Sequence, residues 1–152
     1  MIENRDIYQE KREFIKQQLS EFYDPIVALL TANSRIFSRI GPTSEARISG
    51  LFDDNETAQV WIKLSKEVIV PNNMRVCEII ESKFHLRDKE DEEDEYLEFV
   101  THSYAYQVFK DGAYEAYRLF PYPEVLKRAK STRDRLRYEL DSCYTEQKKG
   151  FF

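Results

Sequence analysis

The stretch from Leu19 to Phe37, "LSEFYDPIVALLTANSRIF", decides the fold because it reads as an amphipathic helix with a proline in its middle. Apolar residues recur at helical intervals on both sides of Pro25, from Phe22 through Ile26 to Leu29. A proline that began a new helix after a loop would usually shift this phase, and here the phase is kept. The pattern therefore predicts one long helix, kinked at Pro25, rather than two helices.

The helical spacing continues outward from this stretch in both directions, from Tyr8 to Ile40. Asn33 stands inside the apolar stripe, between Leu29 and Ile36. A polar residue in such a position is typical of a hydrogen bond to a neighbouring helix or of a partly exposed helix end. The alternative is a register-setting position in a coiled-coil seam with a partner.

The composition favours the same architecture for the rest of the chain. Its 152 residues include only four glycines and five prolines, and 34% of them are charged. This composition disfavours folds with many tight turns and favours long helices. The length suits one hydrophobic core. We therefore predict a single all-α domain over residues 1–152, a bundle of about five helices with a long kinked first helix.

Further apolar patterns follow the first helix. The pattern of the second helix reaches Pro71, which is expected to interrupt it, with Asn72 capping a third segment. A fourth helix over about residues 96–109 is apolar around more than half of its circumference, which predicts a central position. The fifth, from Val125 to Leu140, has an apolar stripe and a basic opposite face.

An acidic segment at about residues 87–95 precedes the fourth helix. Seven of the eight residues from Asp88 to Glu95 are carboxylates, which repel one another and predict a solvated loop running into the first turn of that helix. Because the loop and the basic face of the last helix carry opposite charge, docking of one on the other within the protein is a further expectation.

The overall charge limits the partners that the protein is expected to have. A net charge of -5 and a pI near 5.2 argue against a general affinity for nucleic acid or anionic membranes. The local exception is the basic face of the last helix, where Arg128, Arg133 and Arg137 could contact phosphates. Pairing of these arginines with carboxylates of the protein itself is the competing interpretation.

Residues with catalytic potential are few. The chain has no Gly-x-Ser-x-Gly elbow and no glycine-rich phosphate loop, and neither histidine follows the Glu-x-x-His pattern of di-metal bundles. His102, Glu98 and Tyr106 form the only grouping in the sequence that could act as a reacting or metal-binding centre. We predict no metal site and no cofactor, and an enzyme centred on His102 is the alternative.

The cysteines and the N-terminal segment bear on the compartment. Cys77 and Cys143 lack the paired spacing of zinc sites or disulfide frameworks, so we expect free thiols in a reducing compartment. The N-terminal segment is charged from its third residue, and no run of about 18 apolar residues occurs. These features predict a cytoplasmic protein without a membrane span.

The segment from His102 to Pro123 is rich in tyrosine. Tyrosine offers a large rigid surface with a polar tip, which suits protein interfaces and equally the rim of a small core. Both interpretations stay open here. The interface interpretation points to Tyr104, Tyr106, Tyr114 and Tyr117.

Four pieces of the sequence, "LSEFYDPIVALLTANSRIF", "WIKLSKEVIVPNNMRVCEII", "FVTHSYAYQVF" and "LFPYPEVLKRA", together resemble a set of uncharacterised bacterial helical proteins. In that family a FYxPL helix is followed by a tryptophan-containing helix with PxNxxM, a helix with HxxAY and an FP turn into the last helix. Many members resemble membrane-anchored proteins with an N-terminal transmembrane segment, which we do not expect in this chain. The resemblance implies a helical fold and no particular activity. The recurring positions correspond to Phe22, Tyr23, Pro25, Trp61, Pro71, Asn73, Met74, His102, Tyr106 and Pro121.

The sequence as a whole favours a non-enzymatic protein-interaction or regulatory subunit that works through its helix faces. The expected partner is another protein, and a second copy of the chain bound through the first helix is one form of this prediction. The alternatives are a small helical enzyme or metal-binding protein centred on His102, and nucleic-acid binding through the basic last helix.

Overall fold

The computed structural model of the chain describes residues 2–41, 55–109 and 122–149. Regular structure in these ranges is entirely helical, without a strand, which confirms the all-α fold class. Six α-helical segments are present in the described part of the chain. One π turn joins the first segment to the second and another joins the third to the fourth, so that the described residues form four continuous helices. The segments are α1 (Ile2–Gln18), α2 (Asp24–Ile40), α3 (Asn55–Leu64), α4 (Val70–Lys83), α5 (Asp94–Phe109) and α6 (Tyr122–Lys149).

The long first helix continues past Pro25, as predicted, because a π turn precedes the proline. A proline inside a helix has no N–H to donate, and its ring collides with the preceding turn. The π turn Leu19–Tyr23 is wider than an α-helical turn, and the N–H of Asp24 donates five residues back to the carbonyl of Leu19. The irregularity at Pro25 is therefore absorbed within one helix that comprises α1 and α2.

The second helix also continues past its proline, and the predicted interruption at Pro71 is wrong. The π turn Ser65–Ile69 occupies the same position relative to Pro71, and the N–H of Val70 donates to the carbonyl of Ser65. Asn72 consequently does not cap a new helix. Its side-chain amide instead donates to Oδ1 of Asn33, over 3.0 Å.

The four helices close into a ring around a shared core. The last helix, α6, packs along both α1 and α2, α2 packs on α4, α4 on α5, and α5 on α6. α6 is antiparallel to the first helix, because Arg137 contacts Asp24 whereas Tyr144, later in α6, lies under Arg12. Burial of each large apolar side chain in this core contributes about 1.5–3 kcal/mol. Its largest aromatic members are Phe22, Tyr23, Tyr96 and Phe99.

Asn33 is fully buried between α2 and the second helix. Its amide nitrogen donates to the carbonyl of Ile69 over 3.3 Å and to Oδ1 of Asn73 over 3.0 Å. The predicted hydrogen bond to a neighbouring helix is confirmed. Because a buried amide requires these partners, it also fixes the register between the two helices within one chain.

The apolar stripe of the first helix is used inside the protein. Leu19 is 7% exposed and Ile26 is 0% exposed, both within the core. Self-association of the chain stays a prediction, but it cannot use this stripe without opening the fold.

The fourth predicted helix, α5, is not central. Tyr96 and Phe99 are buried, but Leu97, Tyr104 and Val108 lie on the surface, with Val108 73% exposed. The reason is that α5 packs against α4 and α6 on one side, and no described helix covers its outer face. Part of the apolar circumference of α5 is therefore exposed at the surface of the protein.

The described helices also differ from membrane spans. None of them combines sufficient length with an apolar stretch capable of crossing a bilayer. The longest single segment, α6, has 28 residues, and charged side chains recur along it.

Candidate functional site

A solvent-open groove of about 480 Å³ runs between α2 and α6. One face of α2 contributes residues that recur every three or four positions, and α6 contributes two arginines one turn apart. We call it the α2–α6 groove. Its lining residues are Asp24, Val27, Ala28, Thr31, Ala32, Arg35, Arg133 and Arg137.

The floor of the α2–α6 groove consists of small and apolar side chains. Val27 is 4% exposed and belongs to the core, whereas Ala28 and Ala32 lie open on the surface. Alanines one turn apart on a helix leave a shallow recess into which the side chains of a second helix can pack. The floor is therefore shaped for an apolar face rather than for a small polar molecule.

Positive charge dominates the rim of the α2–α6 groove. Nη2 of Arg137 donates to Oδ1 of Asp24 over 3.1 Å, with both side chains about half exposed. Arg133 donates to its neighbour Asp134 over 3.0 Å. Arg35 has no carboxylate within salt-bridge distance in the described part of the chain. The three arginines outnumber the two carboxylates of Asp24 and Asp134, so the groove has an excess of positive charge.

The other arginines of α6 face the acidic loop. Arg128 donates through Nε and Nη2 to the two carboxylate oxygens of Glu95, over 2.8 and 3.3 Å, and Arg135 donates to Oδ2 of Asp88 over 2.6 Å. The hydrogen bond to Glu95 raises the pKa of Arg128 further above its ordinary value. The expected docking of the acidic loop on the basic face is confirmed.

The candidate nucleic-acid residues consequently do not share one surface. Arg128 belongs to the contact with the acidic loop, while Arg133 and Arg137 line the α2–α6 groove. The side chain of Arg133 is only 17% exposed. Phosphate binding would favour a continuous strip of free guanidinium groups along α6, and these three residues do not form one. Nucleic-acid binding stays an untested alternative.

Asp91 is the residue through which the acidic loop enters the core, and no local pattern distinguishes it from the neighbouring carboxylates. Its side chain is 0% exposed, and Oδ2 accepts hydrogen bonds from Tyr96 over 2.6 Å and Tyr23 over 2.9 Å. The hydroxyl oxygen of Tyr23 in turn accepts the N–H of Asp88 over 2.8 Å. Burial raises the pKa of the Asp91 carboxyl and of both tyrosine hydroxyls. The prediction of a solvated loop is therefore wrong at Asp91.

The residues predicted as a reacting centre lie together on α5. Nε2 of His102 is 3.0 Å from Oε1 of Glu98, and Tyr106 is half-buried one turn further along. None of the three lines the α2–α6 groove. Within the described ranges, no group of three or more His, Cys, Asp or Glu side chains is placed to hold a metal ion. The enzyme alternative stays a prediction without added support.

The tyrosines predicted as an interface have different settings. Tyr104 is exposed on α5 and donates a hydrogen bond to Glu81 of α4, which raises the pKa of Tyr104 to about 12. Tyr106 is half-buried. Tyr114 and Tyr117 lie outside the described residues. Tyr104 lies on the same exposed side of α5 as Leu97 and Val108. An interface on α5 stays a prediction.

Both cysteines are free and buried, as expected for thiols outside a disulfide framework. Burial raises the pKa of the Cys77 thiol, which lies against Ser103. A buried thiol with a raised pKa is a poor nucleophile. Cys77 therefore has the features of a core residue.

No protein-family model, curated protein or solved structure matches the chain. The resemblance to the uncharacterised bacterial family therefore stays a prediction. Several of its recurring positions have structural roles here: Phe22 and Tyr23 are core residues, and Pro25 and Pro71 each follow a π turn.

Proposed function

We propose that this chain is a non-enzymatic interaction protein that holds a helical segment of another protein in the α2–α6 groove. The observation that carries the proposal is the groove itself, an open recess of about 480 Å³ with an apolar floor and arginines from both helices. Docking of an amphipathic helix into such a groove is a common mode of recognition.

The dimensions of the groove suit a short helix. From Asp24 to Arg35 the α2 wall rises through eleven residue steps, or about 16 Å at 1.5 Å per residue, which is three turns of a partner helix. An extended peptide that binds by strand addition needs a sheet edge, and the described residues contain no strand. A helix satisfies its own backbone and needs only a face to bury.

The compartment and the partner belong to the same proposal. A cytoplasmic location agrees with two free thiols, Cys77 and Cys143, since reducing conditions keep cysteines unpaired. Self-association is the case in which a second copy supplies the docked helix. Light scattering on the full chain at increasing concentration separates this case from binding to another protein.

A displayed library of helical peptides of about 20 residues, with all surface positions randomised, tests the proposal on the full-length chain. The variant Ala28→Trp fills the groove at an exposed position and should leave the fold intact. Lys63→Trp, at an exposed position of α3 outside the groove, is the matched control. Circular dichroism and thermal unfolding establish that both variants are folded.

We expect enriched peptides to bind the wild type and Lys63→Trp equally, and to bind Ala28→Trp at least about tenfold more weakly, a loss of about 1.4 kcal/mol. Peptides that bind Ala28→Trp as well as the wild type would assign the interaction to another face. Absence of any enriched peptide with a dissociation constant below about 100 µM would contradict the proposed function.

A further inference from the structure

We infer that the α2–α6 groove selects an acidic helix, and that Asp24 is a built-in competitor that occupies Arg137 while the groove is empty of a partner. This inference rests on the proposed function and names the chemistry of the partner. It follows from the excess of positive charge in the groove. Binding of an apolar face to the floor would not require that charge.

The arginines define where the acidic residues of the partner should lie. α6 is antiparallel to α2, and Arg137 lies opposite Asp24, so Arg133, one turn earlier in α6, lies near the level of Ala28. Arg35 is seven residues beyond Ala28, or about 10 Å along the axis. A helix laid along the groove would meet these three guanidinium groups with carboxylates at positions i, i+4 and about i+11.

The Arg137–Asp24 pair is suited to exchange. Its side chains are 53% and 41% exposed, and such exposed ion pairs contribute little to stability because water screens them. An incoming carboxylate from a partner can therefore replace Asp24 on Arg137 at small cost. In contrast, Arg128 and Arg135 are held by carboxylates of the acidic loop and do not line the groove.

A helix of another protein fits these observations better than a nucleic acid or a second copy. Phosphate backbones offer no apolar face to pack on Ala28 and Ala32 of the groove floor. The chain's own acidic segment is engaged internally through Asp88, Asp91 and Glu95. Both alternatives are outcomes of the test.

The test uses a peptide selected for binding to the groove, synthesised with Glu, Gln or Lys at the three rim-facing positions. Binding is measured by fluorescence anisotropy to the wild type, Asp24→Asn, Arg35→Glu and the control Lys63→Glu, which is an equal charge reversal outside the groove. Each titration is repeated at about 50 and 300 mM salt, since screening weakens exposed charge contacts.

We expect the Glu peptide to bind about tenfold more tightly than the Gln peptide, and the Lys peptide more weakly than both. Asp24→Asn should tighten binding of the Glu peptide about two- to fivefold, because it frees Arg137. Arg35→Glu should weaken it about tenfold or more, Lys63→Glu should have little effect, and the preference for Glu should shrink at high salt.

The Glu and Gln peptides could bind the wild type equally, with binding of both peptides lost in Ala28→Trp. This result would overturn the acidic preference and leave the proposed function standing. Failure of every peptide would overturn the proposed function and this inference with it. Displacement of the Glu peptide by single- or double-stranded oligonucleotides, or concentration-dependent dimers that the Glu peptide dissolves, would reassign the groove and overturn the inference. Unchanged affinity in Asp24→Asn would remove the role of Asp24 as competitor.

Discussion

The hydroxyl of Tyr23 lies 2.9 Å from Oδ2 of Asp91, a buried hydrogen bond between residues 68 positions apart. It ties the acidic loop to the π turn of the first helix, the turn that precedes Pro25. Tyr96 donates to the same oxygen from the first turns of α5. One carboxylate thus connects the first helix, the acidic loop and α5.

Replacing Asp91 with alanine should destabilise the fold strongly. Asp91→Ala leaves the buried hydroxyls of Tyr23 and Tyr96 without their acceptor, and we expect a loss of about 2–4 kcal/mol in the free energy of unfolding. Urea denaturation followed by circular dichroism measures it. Glu92→Ala is the control, because Glu92 is a 72% exposed carboxylate in the same loop and should change stability by less than about 0.5 kcal/mol. Equal effects of the two variants would contradict the anchoring role of Asp91.

The raised pKa of Asp91 predicts a specific pH dependence. Because burial raises its pKa in the folded state, the folded protein binds more protons than the unfolded chain between the two pKa values. The stability that Asp91 contributes is therefore present below the ordinary carboxyl pKa, about 4, and is lost as the pH rises through the folded pKa.

We expect the stability difference between wild type and Asp91→Asn to shift against the wild type as the pH rises from about 4 to 7. Urea denaturation of both proteins at each pH measures this difference, and the other carboxylates cancel in it. A difference that moves in favour of the wild type with rising pH would show that the pKa of Asp91 is lowered on folding.

The asparagine contacts between the first and second helices should act as a unit. Asn33→Ala removes bonds to Ile69, Asn72 and Asn73, and we expect a loss of about 1–3 kcal/mol. In a double-mutant cycle with Asn73→Ala, the two losses should be non-additive by at least about 0.5 kcal/mol. Additive losses would indicate that Asn33 and Asn73 act independently.

Charge on the apolar stripe of the first helix should unfold the protein rather than dissociate an assembly. Leu19→Asp combined with Ile26→Asp places two carboxylates at core positions, at a cost of several kcal/mol. We expect loss of the cooperative thermal transition. Ile7→Asp, on the same helix but at a 59% exposed position, should keep the transition. A folded double variant that changes only its mass in light scattering would instead place this stripe in an interface between chains.

Part of the candidate site had a signal in the sequence. Asp24, Ala28, Thr31 and Arg35 recur at helical spacing on one face of α2, and Arg133 and Arg137 are one turn apart in α6. Each set is visible as a face of its own helix. What the spacing could not predict is that the two faces border one groove, because Asp24 and Arg137 are 113 residues apart and only helix packing brings them together.

The sequence by itself determined the helices and the continuity of the first one past Pro25, since a helix depends on contacts between residues three and four apart that a short stretch such as Leu19–Phe37 already contains. Only the tertiary structure decided which of the seven carboxylates from Asp88 to Glu95 is buried and which arginines of α6 keep exposed partners. The carboxylates of the run are chemically almost equivalent, so the choice depends on where Tyr23, Tyr96 and Arg128 meet in space. That meeting point is set by the packing of whole helices, which no local pattern encodes.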